Sequence, residues 1–159
     1  MPKPDITYRR AVAADADQAH RMLSDLAASD GGALQGTADG LRKYAFGPRE
    51  WFRLMLAFGD GQPVGIATYF PEYSSWRCGM GTFIQDLWSE PVARGRGVGR
   101  GLIAAVQADA ADWDSRFVTL MVHRNNPAAQ GFYSRQGFVV REDSEYLILE
   151  GAALEALGR

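Results

Sequence analysis

The sequence contains one cysteine, Cys78, and two histidines, His20 and His123, in 159 residues. A single thiol excludes an intramolecular disulfide and any cysteine-rich metal site. The histidines lie far apart at no ligand spacing, so no metal centre is expected. An excess of either charge is also missing: 17 Lys and Arg stand against 19 Asp and Glu, a net charge of −2. That balance argues against a broad basic face for nucleic acid, although a local basic pocket is lost in such a sum. No apolar run approaches the length that spans a bilayer. The opening Met1-Pro2-Lys3-Pro4-Asp5 carries no apolar stretch of a secretory signal. These absences lead to the expectation of a cytoplasmic protein with no metal, membrane or nucleic-acid partner.

What is present is ordinary globular composition, 47% hydrophobic and 23% charged. The length suits one domain over residues 1–159, with no repeat or low-complexity linker. Residues 6–10 alternate as a strand. Ala19, Met22, Leu23 and Leu26 fall at helical spacing and predict a helix over 15–28, ended by Asp30-Gly31-Gly32. Thr37 is a fitting N-cap for a short helix through Tyr44. The runs 51–58 and 64–70 are apolar strands around a Gly59-Asp60-Gly61-Gln62 hairpin turn. Residues 82–88 read as the next strand. Helix is predicted from 102 to 111, strand over 117–122, helix over 126–136, and two closing strands over 138–141 and 146–149. The order is β α α β β β α β α β β. A strand–helix–strand crossover around 82–122 places one parallel neighbour in a mixed, mostly antiparallel sheet flanked by helices, an α/β (α+β) class.

The stretch Arg94-Gly95-Arg96-Gly97-Val98-Gly99-Arg100-Gly101 joins a strand to a helix. Glycines let backbone N–H groups come close to an anion. The helix N-terminus adds the positive end of its dipole, and the arginines add charge-assisted donors. This combination suits a phosphate or pyrophosphate. A Walker A loop is excluded because no Gly-Lys-Ser/Thr follows. A dinucleotide fingerprint fails because the third glycine position holds Arg100 or Leu102, depending on the start.

The pattern that remains is Gln/Arg-x-x-Gly-x-Gly, filled by Arg94, Gly97 and Gly99. It resembles the acetyl-CoA pyrophosphate loop of the GNAT N-acetyltransferases. The segment Asn126-Pro127-Ala128-Ala129-Gln130-Gly131-Phe132-Tyr133 through Gly137-Phe138 is similar to the motif after that family's fifth strand. Further segments, Tyr73 to Cys78 and Phe83-Ile84-Gln85-Asp86-Leu87-Trp88, resemble the diamine (spermidine/spermine) N-acetyltransferases. The likeness runs from about Ile6 to about Phe138.

The resemblance implies a GNAT fold, acetyl-CoA as acyl donor, a small-molecule amine as acceptor, and a homodimer. The backbone of Leu87, Trp88 and Ser89 would pair with the pantetheine arm. Arg94, Gly95, Arg96, Gly97, Val98, Gly99 and Arg100 would hold the pyrophosphate. Asn126, Pro127, Ala128 and Ala129 would line the rest of the groove, and Tyr133 would act as general acid. Where the family has Glu-Asp in the fourth strand, this chain has Gln85-Asp86, and glutamine cannot accept a proton. Asp86 is therefore the first choice of base, with His123 and Glu90 behind it, and Gln85 orients substrate or water. A β-bulge near Leu87 and Trp88 would aim a backbone N–H at the developing oxyanion. From the residues themselves, Trp51, Trp76 and Trp88 at strand positions suit core or interface, while Tyr73 and Trp76 together could instead flank a cationic amine. Two other readings share these residues: a protein or peptide N-acetyltransferase, and a non-catalytic CoA-binding regulatory module.

Overall fold

Five strands and five helices emerge in the computed structural model, which describes residues 5–157. The segment Met1–Pro4, read above for a targeting signal, lies outside the described residues. Strands β1 (Ile6–Arg10), β2 (Arg53–Gly59), β3 (Gln62–Ser74), β4 (Gly79–Ser89) and β5 (Val118–Leu120) form one sheet in that order. All neighbours are antiparallel except β4 and β5, which run parallel. The parallel pair encloses the expected crossover, made by helix α3 (Val98–Asp109). Helices α1 (Ala16–Ser29) and α2 (Ala38–Ala45) precede β2, while α4 (Pro127–Arg135) and α5 (Gly151–Ala156) follow β5.

Local chemistry accounts for the boundaries. Thr37 caps α2, its hydroxyl accepting from the Gly40 N–H at 3.0 Å. Asp60 and Gly61 close the β2–β3 hairpin with φ of 52° and 75°, the left-handed pair that a two-residue turn between twisted strands needs. Asn126 caps α4 through the Ala129 N–H at 3.0 Å.

The chain divides into two compact units, Met1–Met121 and Val122–Arg159. In the first, the sheet is covered on both faces. Ala16, Ala19, Met22 and Leu23 are the buried stripe of α1. Of these, Ala19, Met22 and Leu23 pack with Leu54, Leu56, Ile66 and Trp88 on one side. Val98, Leu102 and Val106 of α3 pack with Met55, Ala67, Tyr69 and Ile84 on the other. Helix α3 sits close to the sheet because residue 101 is glycine: a Cβ there would lie 1.9 Å from the Tyr8 Oη. Its C-terminal end is tied down by charge. Arg53 donates to Asp109 at 2.7 Å and Asp112 at 2.8 Å, and the Tyr69 hydroxyl donates to Asp109 at 2.7 Å.

The second unit corrects the expected order. The closing strands predicted over 138–141 and 146–149 are absent among the described residues, and α5 follows instead. Val139, Val140, Tyr146, Leu147, Ile148 and Leu149 are all exposed. Their β-branched and aromatic side chains favour a pleated surface, but a strand exists only through its ladder, and no ladder reaches them. Strand β5 is also shorter than predicted, three residues rather than six.

Candidate active site

Alternation along β3 places Ile66, Thr68, Phe70 and Glu72 on the α1 side of the sheet and Ala67 and Tyr69 on the α3 side. Strand β4 breaks that alternation once. Thr68 pairs with Asp86 but Tyr69 pairs with Ile84, so Gln85 is an extra residue on β4. The bulge was expected near Leu87 and Trp88; it lies at Gln85 instead, and Leu87 and Trp88 pair regularly with Ala67 and Ile66. The extra residue turns Asp86 to the α1 side, in line with Trp88, and leaves Gln85 exposed.

Asp86 is partly buried. Loss of solvent pushes its carboxyl above the usual carboxylate range, and a hydrogen bond from the Thr68 hydroxyl to its Oδ2 opposes that rise. Glu90, an alternative base by sequence, is held by Arg21 at 2.8 Å. Glu72, on the same strand face as Thr68, accepts from the Thr119 hydroxyl. Neither Thr68 nor Glu72 stands out in the sequence, because each joins a partner through register rather than through a local motif.

Beyond Ile84, β4 has no ladder with β5, whose pairing covers only Thr82 to Ile84. The β4 edge from Gln85 to Ser89 therefore offers backbone groups to an added chain-like ligand. Next comes a 3-10 turn, Pro91–Ala93, and then the Gly/Arg loop. Gly95 and Gly97 have φ of 76° and 87°, and beyond the adjoining residues no atom of the described residues lies within 4 Å of a Cβ built on either. Gly97 is the N-cap of α3, and no side chain caps the helix, so the N–H groups of Val98, Gly99 and Arg100 have no acceptor from the helix itself. Arg96 carries a buried Nη2 with no partner among the described residues, and so does Trp88 at Nε1. Arg94 folds back onto the strand end. Its guanidinium lies 4.6 Å from the Trp88 ring centroid, and its Nε donates to the Ser89 carbonyl at 3.2 Å. Uncapped helix N–H groups, open left-handed glycines and an orphaned guanidinium nitrogen together fit a pyrophosphate.

In the second unit, Asn126 is engaged as the cap of α4, with Pro127 and Ala128 in its first turn. Tyr133 is partly buried, with edge contacts to Phe132 and Phe138 at 5.2 and 5.5 Å. His123 is exposed and its carbonyl accepts from the Asn126 N–H. The aromatic pair expected to flank an amine forms no closed cage: Trp76 is 99% exposed and Tyr73 is 64% exposed. Among the described residues there is no group of His, Cys, Asp and Glu that suits a metal, and no helix is long and apolar enough to cross a membrane.

A mixed sheet with an open β4 edge leading into a Gly/Arg loop at an uncapped helix fits an extended ligand that carries a pyrophosphate. The model of the acetyltransferase (GNAT) family matches residues 13–138, and the chain belongs to that family, as an acyl-CoA-dependent acetyltransferase. The chain is 25% identical over 142 residues to thialysine N-epsilon-acetyltransferase of Bos taurus, covering 83% of each. It is 30% identical over 96 residues to L-ornithine N5-acetyltransferase NATA1 of Arabidopsis thaliana, covering 60% of this chain and 42% of that one. Among solved structures, an integron cassette protein from the mobile metagenome of V. cholerae superposes with a TM-score of 0.79. It shares 21% identity, over 97% of this chain and 98% of that one.

Proposed function

We propose that the chain acetylates a primary amine of a small molecule, taking the acetyl group from acetyl-CoA by direct attack. The observation that carries the donor half is the buried Arg96 Nη2 without an acceptor among the described residues, beside the uncapped N-terminus of α3. The acceptor half draws support from two relatives whose names specify thialysine and ornithine, each an amino acid or its analogue with a side-chain amine. Because the family match runs from the first unit into the second, as far as residue 138, they act in this reading as one acetyltransferase domain. It includes no metal.

Acetyl-CoA supplies an acetyl carbonyl activated by its thioester. Arg96 and the N–H groups of Val98, Gly99 and Arg100 hold its pyrophosphate, and the backbone of Leu87 to Ser89 pairs with its pantetheine arm. Arg94 braces the strand end by stacking on Trp88. Asn126 to Ala129 line the groove. Asp86 takes a proton from the acceptor's ammonium, which frees the lone pair that forms the N–C bond. As the C–S bond breaks, Tyr133 Oη gives its proton to sulfur and recovers one from the new amide nitrogen through water. The nitrogen thus sheds two protons, one ending on the thiol and one passing through Asp86 to solvent. Gln85 accepts no proton and orients acceptor or water.

The reading also carries a homodimer, which sedimentation would count. A cytoplasmic site of action is consistent with the free thiol of Cys78. The test is thiol release from acetyl-CoA against spermidine, putrescine, thialysine, ornithine, other amino acids, aminoglycosides and a lysine-bearing peptide. Release with a small amine upholds the proposal. Release with the peptide alone, or tight acetyl-CoA binding with no release, overturns the acceptor half; no binding at all overturns both.

A further inference from the structure

We infer that Thr68 is a positioning residue for the proton acceptor, fixing the Asp86 carboxylate from the neighbouring strand so that one oxygen is held and the other is left for the proton. This rests on the reading of Asp86 as base.

Three features of the sheet carry it. Thr68 is one of two buried polar residues among the described residues and is only 4% exposed, so its hydroxyl cannot turn to bulk water and needs a partner inside. Its cross-strand partner is Asp86, and the extra residue Gln85 begins next to that pair. Without the bulge, strand alternation would place residue 86 on the α3 side with Ile84. The bulge creates the pair, and the Thr68 hydroxyl then donates to Asp86 Oδ2. A β-branched side chain in a strand is restricted at χ1, so the donor has a defined direction.

The chemistry follows from what a carboxylate can do. Ionised, Asp86 only accepts, through two oxygens. Oδ2 is engaged by Thr68, and Oδ1 has no hydrogen-bond partner among the described residues. The elements that pack on β4 from this side bring His20 and Arg21 on α1 and Glu72 on β3, with Glu90 and Arg94 just past the strand. Arg21 pairs with Glu90, Glu72 accepts from Thr119 and Arg94 stacks on Trp88. None of them acts as a charge partner of Asp86. Strand β5 carries no titratable group, and α3 lies on the other face. Burial raises the carboxyl, and Thr68 is the one group that holds it down. A base needs a proton affinity high enough to take the proton and low enough to be empty when the amine arrives, and here two opposing local effects set that balance.

The test is titration of Asp86 by NMR in protein labelled with 13C at the Asp carboxyl, the resonance being assigned by its loss in Asp86→Asn. Thr68→Val keeps the shape and removes the donor; Thr68→Ser restores it; Thr68→Ala serves if the valine variant does not fold. The expected result is a midpoint moved to higher pH by about half a unit to one unit in Thr68→Val or Thr68→Ala, with Thr68→Ser close to wild type. With the amine that scores in the thiol-release panel, the acid limb of kcat/KM should move up by the same amount at constant KM for acetyl-CoA. An Asp86 midpoint that is identical with and without the hydroxyl overturns the inference. Full activity of Asp86→Asn overturns the reading beneath it, whatever the titration shows.

Discussion

The two ends of α3 treat their polar groups in opposite ways. At the C-terminal end, Arg53 bonds Glu50, Asp109 and Asp112 at 2.6 to 2.8 Å, and the buried Tyr69 hydroxyl shares Asp109. Burial, with Asp109 alongside, pushes that phenol well above its usual range, so it stays a donor. At the N-terminal end no side chain caps the helix, two glycines sit in left-handed conformations, and Arg96 buries a nitrogen with no partner among the described residues. A fold that satisfies its polar groups at one end of a helix has the means to do so at the other. Donors left over at a buried position cost free energy unless a molecule from outside accepts them. On the proposed reading, one end is structure and the other is a binding site.

The largest expected effect tests that division from the structural side. Arg53→Met removes the cation shared by Glu50, Asp109 and Asp112, leaving Arg10 on Glu50 and 3.8 Å from Asp109. Breaking a partly buried pair in this way should cost about 3 kcal/mol. For a chain of this size, that lowers Tm by roughly 6–12 °C. Acetyl-CoA affinity of the folded protein, measured by calorimetry below the transition, should stay the same. An affinity that falls in parallel with Tm would break the comparison, because the anchored end would then be controlling the binding end.

Arg96→Met tests it from the other side. A charge-assisted donor to a phosphate contributes about 1.5–3 kcal/mol, so acetyl-CoA should bind roughly 10–100-fold more weakly. Tm without ligand should hold or rise slightly, since a buried donor with no acceptor has been removed. Unchanged affinity would mean that the orphaned nitrogen is an accident of packing.

This contrast between ends also marks what could be read from the amino acids alone. The loop was legible because its chemistry is contiguous: Arg94 to Gly101 states glycine, cation and helix start within eight residues. The Asp60-Gly61 turn and the Thr37 cap were legible for the same reason. The Arg53–Asp109 anchor joins residues 56 apart, and Thr68 reaches Asp86 through a register that a single extra residue sets. No local pattern announces either. The bulge itself was placed two residues late, since a bulge leaves no mark on hydrophobic alternation until the partner strand is known. The closing strands failed differently. The β propensity of Val139, Val140 and Tyr146 to Leu149 is real, but propensity describes a side chain's fit to a pleated surface, whereas a strand needs a neighbour.

The next effect concerns the second unit. Tyr133→Phe keeps the ring that packs on Phe132 and Phe138 and removes only the proton. Turnover should fall roughly tenfold or more with acetyl-CoA affinity unchanged, the usual contribution of a positioned acid. Equal turnover in the two proteins would reassign protonation of the thiolate to water.

The smallest effect is expected at Glu90, set against Asp86, the other carboxylate near the end of β4. By sequence, Asp86 and Glu90 both qualify as bases. Glu90 is bonded to Arg21 at 2.8 Å, and Arg21 also holds Asp25 at 2.9 Å, so this oxygen is engaged in joining α1 to the strand end. Asp86 has a neutral donor on one oxygen and no bonded partner on the other. Glu90→Gln still accepts the Arg21 hydrogen bond and loses only a partly exposed ion pair, which contributes within about 1 kcal/mol. Its kcat should therefore stay within about threefold of wild type, while Asp86→Asn should lose on the order of a hundredfold or more. The reverse ranking would move the proton acceptor to Glu90 and leave Asp86 and Thr68 as a structural pair across the bulge.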